Sequence, residues 1–150
     1  MRRIFTLIVP ALLLAALFAS YMGVTKISAN TLHTLAPHVS CSGDGCDGLD
    51  PVATGCAVGA ITVTVTGGTA SFRTGTIQLR YSPTCGTNWG RVMSSVGTAQ
   101  LTVSIRRADG LFYFATGIGT RKWSPMVFAR TAKAKACGSA DHFENCTEGI

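Results

Sequence analysis

The sequence predicts an all-β fold: a small disulfide-stabilised sandwich or barrel of about six strands, preceded by a Gly/Asp/Cys-rich loop region. Three observations predict it. Short runs alternate apolar with polar residues, and turn formers separate those runs at intervals of roughly 10–20 residues. Six cysteines lie beyond residue 40, the pattern of an exported disulfide framework. No long stretch carries the 3.6-residue apolar period of an amphipathic helix.

The chain opens on Arg2 and Arg3, then runs uncharged from Ile4 to Val24 through Leu, Ala, Ile, Phe and Val. A basic start, an apolar run and small residues after it are the pattern of a secretory signal peptide. Cleavage is expected after Ala19 or after Ala29; the alternative is an uncleaved anchor, since about 20 apolar residues can span a bilayer. Residues 1–29 are therefore read as export signal or anchor, 30–40 as a linker, 41–137 as the domain and 138–150 as a C-terminal tail. The division changes what the composition means. The whole chain of 150 residues is 47% hydrophobic with net charge +6, which resembles a membrane protein. Without residues 1–29, which hold Arg2, Arg3 and Lys26, the charge is +3 and 50 of 121 residues are apolar, an ordinary soluble composition.

Residues 41–56 (CSGDGCDGLDPVATGC) are rich in turn formers and read as a cysteine-tied loop. Alternation then begins. In Ala60 to Thr66, Ile61, Val63 and Val65 face one way and three threonines the other, and Gly67-Gly68 ends the run. Thr69 to Arg73 reads as a short strand broken by Gly75. Thr76 to Ser82 alternates Ile77, Leu79 and Tyr81 with Gln78, Arg80 and Ser82, and Pro83 stops it. Thr87 to Ser94 offers a third strand around Trp89 and Val92. Ala99 to Arg107 alternates Leu101, Val103 and Ile105 with polar partners. Asp109-Gly110 then joins it to Leu111–Ala115, the strongest hairpin signal in the chain. Met126 to Ala136 reads as the last strand, and its Ala-Lys-Ala-Lys-Ala end is also compatible with a helical turn.

Cys41, Cys46, Cys56, Cys85, Cys137 and Cys146 contain no CxxC pair, and His33, His38 and His142 are not at finger spacing. Disulfides are thus expected in preference to zinc. Six cysteines allow 15 pairings; a local Cys137–Cys146 bridge is the one that short spacing favours.

Cys41-x-Gly43-x-x-Cys46-x-Gly48-x-Asp50-Pro51-x-x-x-Gly55-Cys56 resembles the opening of the YjfA-like family, small exported proteins of Gram-positive bacteria (domain of unknown function 2690). Leu79-Arg80-Tyr81-Ser82-Pro83-x-Cys85, Trp89-x-Arg91-Val92, Pro125-Met126-Val127 and Ala136-Cys137 extend the likeness. The family often has Asp-Ala a few residues after the third cysteine, where this chain has Gly59-Ala60. The resemblance implies export and one cysteine-tied domain, and it carries no activity with it.

Candidate chemistry lies in three groups. Asp44, Asp47 and Asp50 sit three apart in the Gly-rich loop, which suggests a calcium site. The spacing is not that of an EF-hand, so turn capping is the expected role, with the Asp50 carboxylate accepting from loop amides. Arg80, Arg91, Arg106, Arg107, Arg121, Lys122, Arg130, Lys133 and Lys135 fall in a segment whose one acid is Asp109. That asymmetry suits an anionic envelope polymer, or a solvated sheet face. Arg80 and Arg91 could instead stack on Tyr81 and Trp89. Trp89 and Trp123 could form a sugar-stacking platform if exposed, and Phe112 to Phe114 is the expected surface apolar contact.

Catalysis finds little support. There is no Gly-x-Ser-x-Gly elbow, paired cysteines are inert, and paired carboxylates across a cleft are not evident. The sequence therefore predicts an exported, non-catalytic binding or structural component of the cell envelope. No cofactor is expected and nucleic acid is not the expected partner. Membrane contact is expected only through the N-terminal segment if it stays uncleaved. A secreted hydrolase and a secreted antagonist or toxin are the alternative classes.

Overall fold

The structure is a computed structural model in which residues 38–150 are described. Residues 1–29, read as export signal or anchor, and most of the linker, including His33, lie outside the described residues.

Alternation in the sequence becomes two antiparallel sheets. In the first, β3 (Gly75–Ser82) pairs along its full length with β4 (Thr87–Ser94), placing Gln78 opposite Arg91 and Arg80 opposite Trp89. The other edge of β3 carries β1 (Ile61–Thr62) and β2 (Thr69–Phe72) in succession. The far edge of β4 carries β7 (Arg121–Trp123) and β8 (Val127–Phe128). In the second sheet the order is β10–β9–β5–β6, formed by β5 (Ala99–Arg107), β6 (Phe112–Gly119), β9 (Ala134–Ala140) and β10 (Phe143–Cys146). The Asp109-Gly110 turn joins β5 to β6 as the sequence predicts. Gly110 takes φ 100° and its amide donates to the Arg107 carbonyl at 3.0 Å.

The two sheets face each other through one apolar layer. Ile77, Leu79 and Val92 of the first meet Leu101, Val103, Ile105, Ala136 and Ala140 of the second, all buried. Each large aliphatic side chain buried here contributes about 1.5–3 kcal/mol. The layer is thin where glycines stand in it. A Cβ on Gly90 would lie 2.8 Å from the Ser104 carbonyl oxygen and from Val103 Cγ2, and one on Gly138 would lie 2.8 Å from Ile77 Cδ1. Small residues at β4 and β9 therefore set the distance between the sheets.

Three expectations change. The run Ala60–Thr66 is a strand only at Ile61–Thr62. Val63 donates to the Leu79 carbonyl and Leu79 donates to the Gly68 carbonyl, both at 2.9 Å. Residues 63–68 thus bulge out of a single interrupted edge strand, and Ile61 and Val65 are left more than half exposed. An edge strand with one neighbour has no second ladder to hold such a run straight. Met126–Ala136 is likewise two elements, because β8 ends at Phe128 and β9 belongs to the other sheet. Its Ala-Lys-Ala-Lys-Ala end holds no helical turn and enters β9 at Ala134: Ala134 and Ala136 are buried while Lys133 and Lys135 are exposed. Packing against the facing sheet overrides the helical preference of Ala and Lys. Finally, residues 138–150, read as a C-terminal tail, are part of the second sheet. They complete β9 and supply β10, and Ala134 and Ile150 exchange backbone hydrogen bonds.

Candidate anionic ligand site

On β3 and β4, the residues opposite in parity to the core point to the outer face of the first sheet. Cross-strand register groups them into two rows. One row runs Thr62, Arg80, Trp89 across β1, β3 and β4; the next runs Gln78, Arg91, Trp123 across β3, β4 and β7. Arg121, two residues before Trp123 on β7, joins the same face.

This face is covered by the loop region Cys41–Ala60. A 3-10 turn at Gly43–Cys46 and the turns after Asp50 bring three sulfurs against the sheet, so that Cys46, Cys56, Cys85, Trp89 and Met126 form a second buried cluster. Disulfides join Cys41 to Cys46, Cys56 to Cys85 and Cys137 to Cys146. The third is the bridge that local spacing favours. The Met126 backbone clamps the loop from the sheet side: its amide donates to the Leu49 carbonyl and its carbonyl accepts from Gly48, both at 2.9 Å. Gly55, with φ 79°, lies so close to the chain before it that a Cβ would be 2.8 Å from the His38 carbonyl oxygen.

Between loop and sheet lies a cavity of about 200 Å³ lined by Pro51, Val52 and Ala57 on one side and by Arg80, Trp89, Arg91, Arg121 and Trp123 on the other. The Arg80 guanidinium donates to Thr62 Oγ1 and to the Ala60 carbonyl, each at 2.6 Å. Arg91 donates twice to Gln78 Oε1. All of these acceptors are neutral. Among the described residues both ion pairs belong to Arg107, with Asp47 at 3.2 Å and Asp109 at 2.8 Å. Burial, and then the charge of Arg91, lowers the pKa of Arg80; burial, and then the charge of Arg121, lowers that of Arg91. Arg91 thus repels Arg80, and Arg121 repels Arg91; an anion between them would relieve that repulsion.

Asp50 borders the cavity without neutralising it. Its Oδ1 accepts from the Val52 and Ala53 amides at 2.7 and 2.9 Å, and its Oδ2 accepts from Trp123 Nε1 at 2.9 Å. Burial pushes its carboxyl pKa up. The hydrogen bonds from Ala53, Trp123 and Val52, together with the Lys122 charge, outweigh that and hold it below its ordinary value.

The residues that decide this geometry span the loop and the first sheet, and the profile of one family matches residues 44–137, described as a protein of unknown function (DUF2690). The chain belongs to the DUF2690 family. No curated protein and no solved structure matches it. The DUF2690 match covers the loop, both tryptophan rows and the start of β9, so the cavity lies wholly inside the family region.

The other sequence candidates disperse over this DUF2690 domain. The calcium arrangement does not form: Asp44 is exposed, Asp47 is taken by Arg107 and the Phe128 amide, and Asp50 by its own turn and Trp123. Arg80 and Arg91 do not stack on rings. The cation–ring contacts among the described residues are Arg106 over Phe112 at 5.0 Å and Arg73 over Phe143 at 5.2 Å. The basic segment is also divided. Arg121 reaches the cavity; Arg106, Lys133 and Lys135 line a separate, more open groove with Arg107; Lys122 is half-buried; and Arg130 lies beside Phe128 and Gly86. Trp89 is buried rather than a platform, Phe112 and Phe114 are exposed and stacked at 6.1 Å, and His38 and His142 are both exposed. Within the motif, Ser82 accepts from the Cys85 amide, Tyr81 pairs with Ile61, and Pro83 opens the turn that carries Cys85. Pro125 leads Met126 into the buried cluster. Sequence reasoning missed Gln78 and Thr62, the neutral acceptors that orient the guanidiniums. The alternation of β3 already places Gln78 on the face of Arg80.

Proposed function

We propose that this protein is an exported, non-catalytic binding protein of the cell envelope that takes an anionic group of an envelope polymer in the cavity between the cysteine loop and the first sheet. One observation carries the reading: Arg80, Arg91 and Arg121 line one cavity, and none of them is paired with an acid among the described residues. Fixed guanidiniums suit phosphate or carboxylate oxygens, because each presents several donors in a planar fork. The half-buried Trp123 offers apolar area to the sugar or polyol that bears the anion. The arginine-bearing face, the disulfides and the N-terminal apolar run together favour an extracellular site of action. No helix among the described residues is long and apolar enough to cross a membrane.

The test is retention on a purified polyol-phosphate polymer, with a neutral glycan as the reference. Binding to the polymer should weaken as salt rises and should fall at least tenfold in a chain carrying Arg91→Gln and Arg121→Gln. Equal retention on the neutral glycan, or retention that is insensitive to salt, would overturn the reading.

A further inference from the structure

Packed in one cluster with Trp89, which also lines the cavity, four sulfurs from four places in the chain meet. Cys41 precedes the 3-10 turn, Cys46 ends it, Cys56 follows the Asp50 turns and Cys85 sits in the β3–β4 connection. Their Sγ atoms all lie within 4.8 Å of one another, and Cys41 Sγ is 3.6 Å from Cys56 Sγ across the two disulfides. Cys46, Cys56 and Cys85 are buried and Cys41 is half-buried. Two disulfides need sulfurs close in pairs. They do not need the pairs to touch.

A tetrahedral zinc ion with Zn–S bonds of about 2.3 Å holds its four sulfurs about 3.8 Å apart. The spacing between the two pairs is already of that order; only the two bonded pairs must open. The surroundings are apolar, with Trp89 and Met126 against the sulfurs, and they exclude water as a closed structural site requires. Among the described residues this is the one group of metal-ligand side chains that converges.

We propose that in the thiol form in which the chain is synthesised, Cys41, Cys46, Cys56 and Cys85 bind one Zn(II) as a tetrathiolate, and that the same scaffold holds the two disulfides once the cysteines are oxidised. Four thiols and one Zn(II) give the tetrathiolate and release four protons. Oxidation by a disulfide oxidant then forms the Cys41–Cys46 and Cys56–Cys85 bonds. The four electrons lost by the cysteines reduce two equivalents of oxidant disulfide to thiols, and Zn(II) leaves. The zinc form would shape the loop against Trp89 before any disulfide exists, and it would suppress pairing with Cys137 or Cys146.

The experiment uses the full chain reduced with a phosphine, which leaves no thiol competitor, and titrates it with Co(II) and then Zn(II). The expected result is a tetrathiolate–cobalt charge-transfer band that saturates at one equivalent and is abolished by Zn(II). It should persist in a Cys137→Ser/Cys146→Ser chain and be lost in Cys46→Ser. Alkylation of the Zn-loaded chain, mapped by mass spectrometry, should protect the four cysteines and leave Cys137 and Cys146 reactive. The tryptophan near-ultraviolet circular dichroism of the zinc form should match that of the oxidised protein, which guards against reading an unfolded variant. Absence of the band, protection that includes Cys137 or Cys146, or a zinc form whose tryptophan signal is that of the unfolded chain would each overturn the proposal. Retention on envelope polymer is read on oxidised protein, so the two proposals fail separately.

Discussion

Trp123 Nε1 donates to Asp50 Oδ2 at 2.9 Å, joining β7 to the cysteine loop across 73 residues of sequence. The other oxygen of the same carboxylate closes the loop's own turn. One side chain thus shapes the loop locally and fixes it to the sheet. Asp50→Asn should keep the fold and cost about 1 kcal/mol, and Asp50→Ala somewhat more, read as a fall in melting temperature. The folded carboxyl titrates below its unfolded value. Its contribution to stability is therefore complete above about pH 4 and is lost as the pH falls through the lower folded value. Melting temperatures of the parent chain and Asp50→Asn should converge only in that acidic range. A constant difference down to pH ~2 would show that the charge is not what matters.

Arg80 and Arg121 line the same cavity but should separate by phenotype. Arg80 is half-buried and holds Thr62 and the Ala60 carbonyl, so it anchors β1. Arg80→Met should lower stability by about 1–3 kcal/mol and weaken anion binding as well. Arg121 is exposed. Arg121→Met should leave stability within about 0.5 kcal/mol while weakening anion binding. Thermal melts beside binding isotherms separate the two cases.

Arg107 should prove structural despite its place in the basic segment. Its guanidinium joins Asp47, Asp109 and the Phe128 carbonyl, and Asp47 also accepts from the Phe128 amide. Asp47→Ala leaves the Phe128 amide without its acceptor at a half-buried site and takes one of the Arg107 partners away, and should cost about 1–3 kcal/mol. Asp109→Ala, on the exposed side of Arg107, should change the chemical denaturation midpoint far less. Equal effects would place the weight of the network on the wrong acid.

The disulfides should differ in cost. Cys56 and Cys85 are 29 residues apart, whereas Cys137 and Cys146 are 9 apart and already opposed in register. Loop-closure entropy predicts a loss of about 3–4 kcal/mol for Cys56→Ala/Cys85→Ala and about 2–3 kcal/mol for Cys137→Ala/Cys146→Ala. The first pair also holds the cavity wall beside Ala57. Its removal should weaken binding, and removal of the second should not.

Much of the fold was legible because alternation is a local property. Thr76–Ser82, Thr87–Ser94 and Ala99–Arg107 were readable as strands, and Asp109-Gly110 as a hairpin, from residue order alone. Legibility failed where a strand's fate depends on its neighbour. Ile61, Val63 and Val65 alternate as well as Leu101, Val103 and Ile105 do, yet β1 lies on a sheet edge and bulges while β5 lies between two partners. The Asp50–Trp123 bond was not readable either, because nothing local links an aspartate in a turn to an indole 73 residues on.

By itself the sequence determined that this is a cysteine-tied all-β domain behind an apolar N-terminal run, since composition, period and cysteine count are properties of the chain. It also placed positive charge in residues 80–135 with a single acid there. Which of those charges act together was decided only by tertiary structure. Strand parity sends Arg80, Arg91 and Arg121 to one face under the cysteine loop, while Arg107 turns to Asp47 and Asp109. Electrostatic interaction depends on distance in space and on the surrounding medium, and neither follows from position along the chain.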